Sequence, residues 1–198
     1  MATRRPRART RRPTRRFARR ILVVTEGKLT EPQYVEGLNR HLRTSGTTTV
    51  VKTVPVGKDP VRVVRKCIDL RDQANIADKP YDVCVCLVDV DDHETLSTAC
   101  RVADRESVVL LVSNLKFEVW LRWHAEDACS AMSSTQLDEA MAKLGLVTKK
   151  VLSPTFPFDS VHRACEIARR ADPHLRAGRA GPDPSSALPI LIDLMLGR

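Results

Sequence analysis

Residues 82–92 read DVCVCLVDVDD. Positions 83–88 are apolar without a break. A run this short, with no helical spacing, reads as a strand buried on both faces, and such strands belong to parallel sheets covered by helices on either side. The run ends abruptly in Asp89, Asp91 and Asp92. Side chains alternate along extended backbone, so Asp89 and Asp91 face the same way, as do Cys84 and Cys86 before them.

The flanks repeat this pattern. Upstream, residues 21–25 (ILVVT) form a similar run that ends in Glu26-Gly27. Thr30-Glu31-Pro32-Gln33 then reads as a helix start, with Thr30 as N-cap and Gln33 completing a capping box. Tyr34, Leu38 and Leu42 follow at helical spacing, and the helix is expected to stop near Ser45-Gly46. Residues 48–56 (TTVVKTVPV) read as a second strand with Pro55 near its end. Asp59-Pro60 are N-cap and first residue of a second helix. Val61, Val64 and Ile68 line one face of it, and residues 75–80 break it.

Downstream, residues 94–104 read as a third helix, 107–112 (SVVLLV) as a fourth buried strand, and 115–124 (LKFEVWLRWH) as a helix apolar around most of its circumference. The order βαβαβαβα predicts an α/β fold, a parallel four-stranded sheet flanked by helices. Beyond residue 130 the pattern turns mostly helical, over 137–144 and 161–171. Asp183-Pro184-Ser185-Ser186 is expected to cap a last apolar helix at 188–196, after a loop across 171–184. Three regions are therefore expected: a basic arm at 1–20, an α/β core at 21–128, and a helical extension at 129–198 packed on the core.

The formal net charge of the 198 residues is +9. Residues 1–20 hold ten arginines and no acid, so removing that +10 leaves −1 for the rest. The arginines are Arg4, Arg5, Arg7, Arg9, Arg11, Arg12, Arg15, Arg16, Arg19 and Arg20. So dense a polycation has too little apolar surface to fold alone. It is expected to bind nucleic-acid phosphates without reading sequence, and six to ten such contacts lose about 10³–10⁵-fold in affinity between low and moderate salt. No run reaches the 18 or so apolar residues of a membrane span, and no secretory signal is visible, so no membrane association and a cytoplasmic location are expected. The six cysteines form no C-x-x-C pair and no zinc spacing; they read as small buried thiols.

In open parallel sheets ligands bind at the carboxyl ends of the strands. Glu26 follows the first strand, and Asp89 and Asp91 end the third. Gathered carboxylates repel one another unless a cation lies between them, and hard carboxylate oxygens suit Mg²⁺ or Mn²⁺. A cation of this kind is also a Lewis acid for phosphoryl chemistry. Taken singly, Glu26-Gly27 reads as turn chemistry and residues 89–92 as a solvated helix cap; their joint placement is what points to a site.

Three stretches, TEGKLTE (25–31), LVDVDDHE (87–94) and SNLKFEVWLRWH (113–124), resemble the RloB-like family, a branch of the TOPRIM-like proteins. The basic arm and DPSS (183–186) extend the likeness to nearly the whole chain. The family commonly has Pro at the position of Leu115, Asn at Asp183 and an apolar residue at Arg122. The Arg122 difference suggests an exposed or partner-facing side chain.

The resemblance implies a TOPRIM-like, Rossmann-like core in which Glu26, Asp89 and Asp91 bind Mg²⁺ (or Mn²⁺) and act on phosphodiesters. It also implies a setting in bacterial phage defence, including abortive infection, and an ATPase partner. The implied activity is a metal-dependent nuclease acting on RNA such as tRNA, or on DNA. The competing expectation is a non-catalytic nucleic-acid-binding or adaptor subunit of an ATPase-containing complex, since no Walker A loop is present in this chain. An oligomer is compatible with either.

Further residues are expected beside the ligand set: Gly27, Glu31 and Asp92; His93, to orient water; Lys116, to balance phosphate charge; and Glu118. Trp120 and Trp123 are read as core.

Overall fold

The computed structural model describes residues 18–57, 59–90 and 93–198. The α/β expectation holds. A central sheet has the strand order β2-β1-β3-β4-β7. It comprises β1 (Arg20–Thr25), β2 (Val50–Pro55), β3 (Val83–Asp89), β4 (Val109–Asn114) and β7 (Ser185–Ser186). The first four pair in parallel. The expected four-stranded sheet has a fifth, antiparallel strand. Ser185-Ser186, expected as a helix cap, instead pairs with Asn114 and Ser113 at the edge of β4. The serines' short hydroxyl side chains allow this: Ser186 Oγ and Ser113 Oγ lie 3.0 Å apart and share a hydrogen bond.

The pleat divides the core in two. Ile21, Val23, Val85, Leu87 and Leu111 face one layer. Leu22, Val24, Cys84, Cys86, Val88, Leu110 and Val112 face the other. The second layer is covered by α2 (Pro60–Ile76) and α3 (His93–Arg105), which supply Val63, Val64, Cys67, Leu96, Ala99 and Ala103. Cys67, Cys84 and Cys86 are buried there as free thiols; the hydrogen bond with Cys67, then burial, pushes Cys84 far above the ordinary range, and, against the lowering bond from Cys84, Cys86 and burial raise Cys67 as well. Asp59 caps α2 as expected, its side chain accepting from the Arg62 N–H.

The first layer is covered by α1 (Thr30–Thr44), α4 (Glu118–Arg122), α5 (Ser134–Leu144), α6 (Val161–Ala171) and α7 (Leu188–Leu196). Residues 129–198 are therefore not a separate layer. Leu188, Leu191, Ile192 and Met195 sit in the same apolar cluster as the strands. The last carbonyls of α7, left without intrahelical partners, are bound by Thr49 Oγ1 at Met195 O (2.8 Å) and Arg19 Nη1 at Leu194 O (3.2 Å). Expected to be mostly helical, this region also supplies β7 and a hairpin, β5 (Val147–Thr148) and β6 (Val151–Leu152).

Two arginines assigned to the arm belong to the folded unit. Arg19 bonds α7. Arg20 opens β1, donates to Pro80 O (2.8 Å) and stacks over the Tyr81 ring (5.0 Å). Arg4, Arg5, Arg7, Arg9, Arg11, Arg12, Arg15 and Arg16 lie outside the described residues. Among the described residues no helix is long and apolar enough to cross a membrane.

The start of α1 departs from the expected capping box. Leu29 is the N-cap and no side chain caps the helix. Thr30 Oγ1 donates instead to Lys150 O (3.1 Å), and Gln33 Oε1 accepts from Leu152 N–H (2.8 Å). A capping box satisfies two local donors, but the hairpin brings its own part-buried backbone groups to the same side chains.

The helix expected over 115–124 is shorter and buried almost all round, with Trp120 and Trp123 in the core as expected. Arg122 is not exposed: its side chain is 16% accessible and pairs with Glu126 at 2.8 Å.

Candidate active site

The carboxyl rim of the sheet carries the candidate residues. Thr25 is paired with Leu87, and the Glu26 N–H continues the ladder to Leu87 O (3.0 Å). This brings Glu26 against the end of β3, where the Asp89 N–H donates to Glu26 Oε2 at 3.2 Å. The Glu26 side chain thus meets the backbone of Asp89, 63 positions away in the chain. Asp91, Asp92 and the side chain of His93 lie outside the described residues.

Glu31 enters from the first turn of α1. A Cβ built on Gly27 would fall 1.8 Å from Glu31 Oε2, so the carboxylate lies on the bare Cα of Gly27 and any side chain there would displace it. Glu118 begins α4. Burial, then the carboxylates of Glu31 and Glu118, push the Asp89 carboxyl well above the usual range; the Phe117 N–H opposes this, and Glu26 raises it further. Burial likewise raises Glu31, against the N–H groups of Glu31 and Gly27, with Glu118 adding to the rise and Lys150 reducing it.

These groups line a cleft of about 550 Å³ together with Lys28, Lys116, Asp138 and Lys150. Gly27, Glu31, Lys116 and Glu118, singled out from sequence, are all present in its lining. Lys116 is held by Asp138, with Nζ 2.5 Å from Oδ1. Lys28, Asp138 and Lys150 were missed. Lys28 lies inside the TEGKLTE stretch and was open to notice. Asp138 and Lys150 come from the C-terminal region, and only the fold brings them to the rim.

In the core, His124 is buried against Tyr34, Trp120 and Phe156. Its Nδ1 lies 3.1 Å from Trp120 O, and its Nε2 lies 3.2 Å from the Tyr34 hydroxyl. A carbonyl only accepts, so Nδ1 carries the proton and Nε2 accepts from Tyr34. Burial depresses His124 to about 4.

The family model described as RloB-like protein matches residues 21–195. The chain belongs to the RloB-like family. The match covers all but the first residue of the sheet and the C-terminal region that completes the cleft, so in this RloB-like chain the rim lies within the matched span. No curated protein matches it.

Whether the rim suits a divalent cation turns on its donors. Among the described residues no group of three or more His, Cys, Asp or Glu is disposed to hold a metal ion. Glu26 and Asp89 supply hard oxygens of the type Mg²⁺ and Mn²⁺ take, and the mutual repulsion at Asp89 is of the kind a cation would relieve. The chemistry of the donors fits. The third expected donor, Asp91, lies outside the described residues.

Proposed function

We infer that this RloB-like protein is a metal-dependent nuclease with a TOPRIM-like core, hydrolysing phosphodiester bonds of RNA, such as tRNA, or of DNA. One observation carries the reading: at the carboxyl rim of a parallel sheet the Glu26 carboxylate is held by the Asp89 N–H, and Glu26, Asp89, Glu31 and Glu118 line one open cleft. Five carboxylates line the cleft, of which Asp138 is paired with Lys116; crowding of the other four weakens any fold that has no use for them, because it raises the free energy of their charged forms.

Mg²⁺ or Mn²⁺ held by Glu26 and Asp89, with Asp91, would supply Lewis acidity to a phosphodiester. The chain's own residues have separate tasks. The Asp89 N–H fixes one oxygen of Glu26. Gly27 lets Glu31 approach the rim. Asp138 holds Lys116 at the edge of the cleft. The arginine arm fits a nucleic-acid substrate, since a polycation gathers phosphate backbones by counterion release. Phage defence, an ATPase partner and a cytoplasmic setting accompany this reading as proposals drawn from the family.

The test is direct. Labelled tRNA, single-stranded DNA and duplex DNA are incubated with the protein and Mg²⁺ or Mn²⁺, beside Asp89→Asn. Cleavage by the parent and none by the variant is expected. Equal cleavage by both refutes the mechanism. Binding without cleavage by the parent leaves the adaptor role.

A further inference from the structure

The β5–β6 hairpin stands over the cleft, and its turn is unusual. Lys149 and Lys150 occupy the two central positions with φ of +49° and +64°. A two-residue hairpin turn with both φ positive is the preserve of Asn-Gly and similar pairs, because a Cβ crowds the backbone in that region. Here two lysines take both positions. Strain of this kind persists where surrounding structure enforces it, and it gathers at functional sites.

The enforcement is visible. The Lys150 carbonyl accepts from Thr30 Oγ1 (3.1 Å), and the next backbone N–H but one, at Leu152, donates to Gln33 Oε1 (2.8 Å). Both anchors are on α1, the helix that carries Glu31 to the rim. The hairpin is thus tied to the element that carries Glu31. Lys150 lines the cleft, whereas Lys149 does not. Of the three lysines in the cleft, Lys116 is neutralised by Asp138. Lys28 and Lys150 form no ion pair among the described residues, and the stem of Lys28 is laid over Gly57. Lys150 is the exposed cation borne on a braced turn at the cleft mouth.

We propose that Lys150 is the residue that binds a backbone phosphate of the nucleic acid, holding the strand across the carboxylate rim. The inference rests on the nuclease reading of that rim. It assigns the hairpin a role in placing substrate, which neither the carboxylates nor the arm supplies: the carboxylates repel phosphate, and the arm lies at the other end of the sequence.

The experiment exploits the strain. Glycine is the residue such a turn favours at the second position, so Lys150→Gly is expected to keep or raise the melting temperature. Lys149→Asn is the matching control at the first position, and Lys150→Arg retains the charge. Affinity of the full chain for labelled tRNA and for a labelled DNA duplex is measured across a salt series, with Ca²⁺ in place of Mg²⁺ or Mn²⁺. Lys150→Gly is expected to weaken binding about tenfold and to flatten the log–log salt slope by about 0.9 on duplex, the share of one phosphate contact. Lys149→Asn should stay within about threefold of the parent, a loss too small for one phosphate contact, and Lys150→Arg should keep the parent's slope.

Unchanged affinity and slope in Lys150→Gly overturn the proposal. So does a fall in melting temperature that accompanies the loss of affinity, because the hairpin would then be acting through the fold. A parent that binds neither probe overturns it too. A parent that binds with the expected slopes yet cuts nothing in Mn²⁺ sinks the nuclease reading and leaves Lys150 as a phosphate contact.

Discussion

His124 offers the sharpest quantitative test of the core. It is 1% exposed and held neutral, donating from Nδ1 to Trp120 O and accepting at Nε2 from Tyr34. Protonating Nε2 would place a charge among Trp120, Phe156 and Tyr34 and remove the acceptor of the tyrosine hydroxyl. Its value falls from 6.5 to about 4 on folding.

A depressed folded value means that the unfolded chain takes up the proton first. The group's contribution to stability is therefore complete above 6.5 and is lost as the pH falls toward 4. At about 1.4 kcal/mol per unit, the full loss is roughly 3 kcal/mol, and about 2 kcal/mol has gone by pH 5. For a chain of this size that corresponds to roughly 4–8 °C in melting temperature. Carboxylates with raised values, such as Asp89, push the other way, so the informative quantity is the difference between the parent and His124→Gln measured from pH 7.5 to 5. The parent is expected to lose more stability than the variant, by about 2 kcal/mol. NMR titration of the histidine ring carbons checks the same point without a variant: one of the five histidines should remain neutral at pH 5. Five rings all titrating near 6.5 would refute the buried neutral imidazole.

Gly27→Ala displaces Glu31, whose carboxylate is the movable end of a flexible side chain. Stability should change by less than about 1 kcal/mol, while Mn²⁺-dependent cleavage should fall about 10–100-fold, as when the surroundings of a metal ligand are disturbed; full activity would show that Glu31 is idle. Asp89→Asn removes a carboxyl whose value is raised on folding, a cost felt as the pH rises above the ordinary carboxylate range. Differential scanning fluorimetry without divalent ions should show the variant melting higher than the parent at pH 8, with the gain shrinking in acid; a lower melting temperature at pH 8 contradicts the crowded rim. Leu191→Ala cuts a fully buried side chain of α7. Urea unfolding should report a loss of about 2–5 kcal/mol in a single transition, and a separate early transition of the C-terminal region would show that it is not part of the common core.

Much of this molecule is legible in its sequence because the deciding interactions are local. Uninterrupted apolar runs at 21–25 and 83–88 can be satisfied only in a covered parallel sheet, and the acids that end them must then lie at its rim. Asp59-Pro60 caps its helix because the partner N–H is three residues away. Gly27 and Glu31 were singled out, although the reason, a carboxylate lying on a bare Cα, appears only in three dimensions.

What tertiary structure alone decided involves groups with distant partners. Thr30 and Gln33 had a sound local alternative in each other, but the hairpin's backbone groups, 120 and 119 positions away, claimed them. Ser185-Ser186 had the composition of a cap and became a strand because the edge of β4 left ladder groups open. Lys150 and Asp138 carry no local signal of a site; the packing of α5 and the hairpin against α1 and α4 put them in the cleft. The chain's pattern dictates where strands and acids fall, since hydrophobic period and backbone chirality act within a few residues. Which polar groups end up paired depends on what each buried donor and acceptor can reach once the layers close.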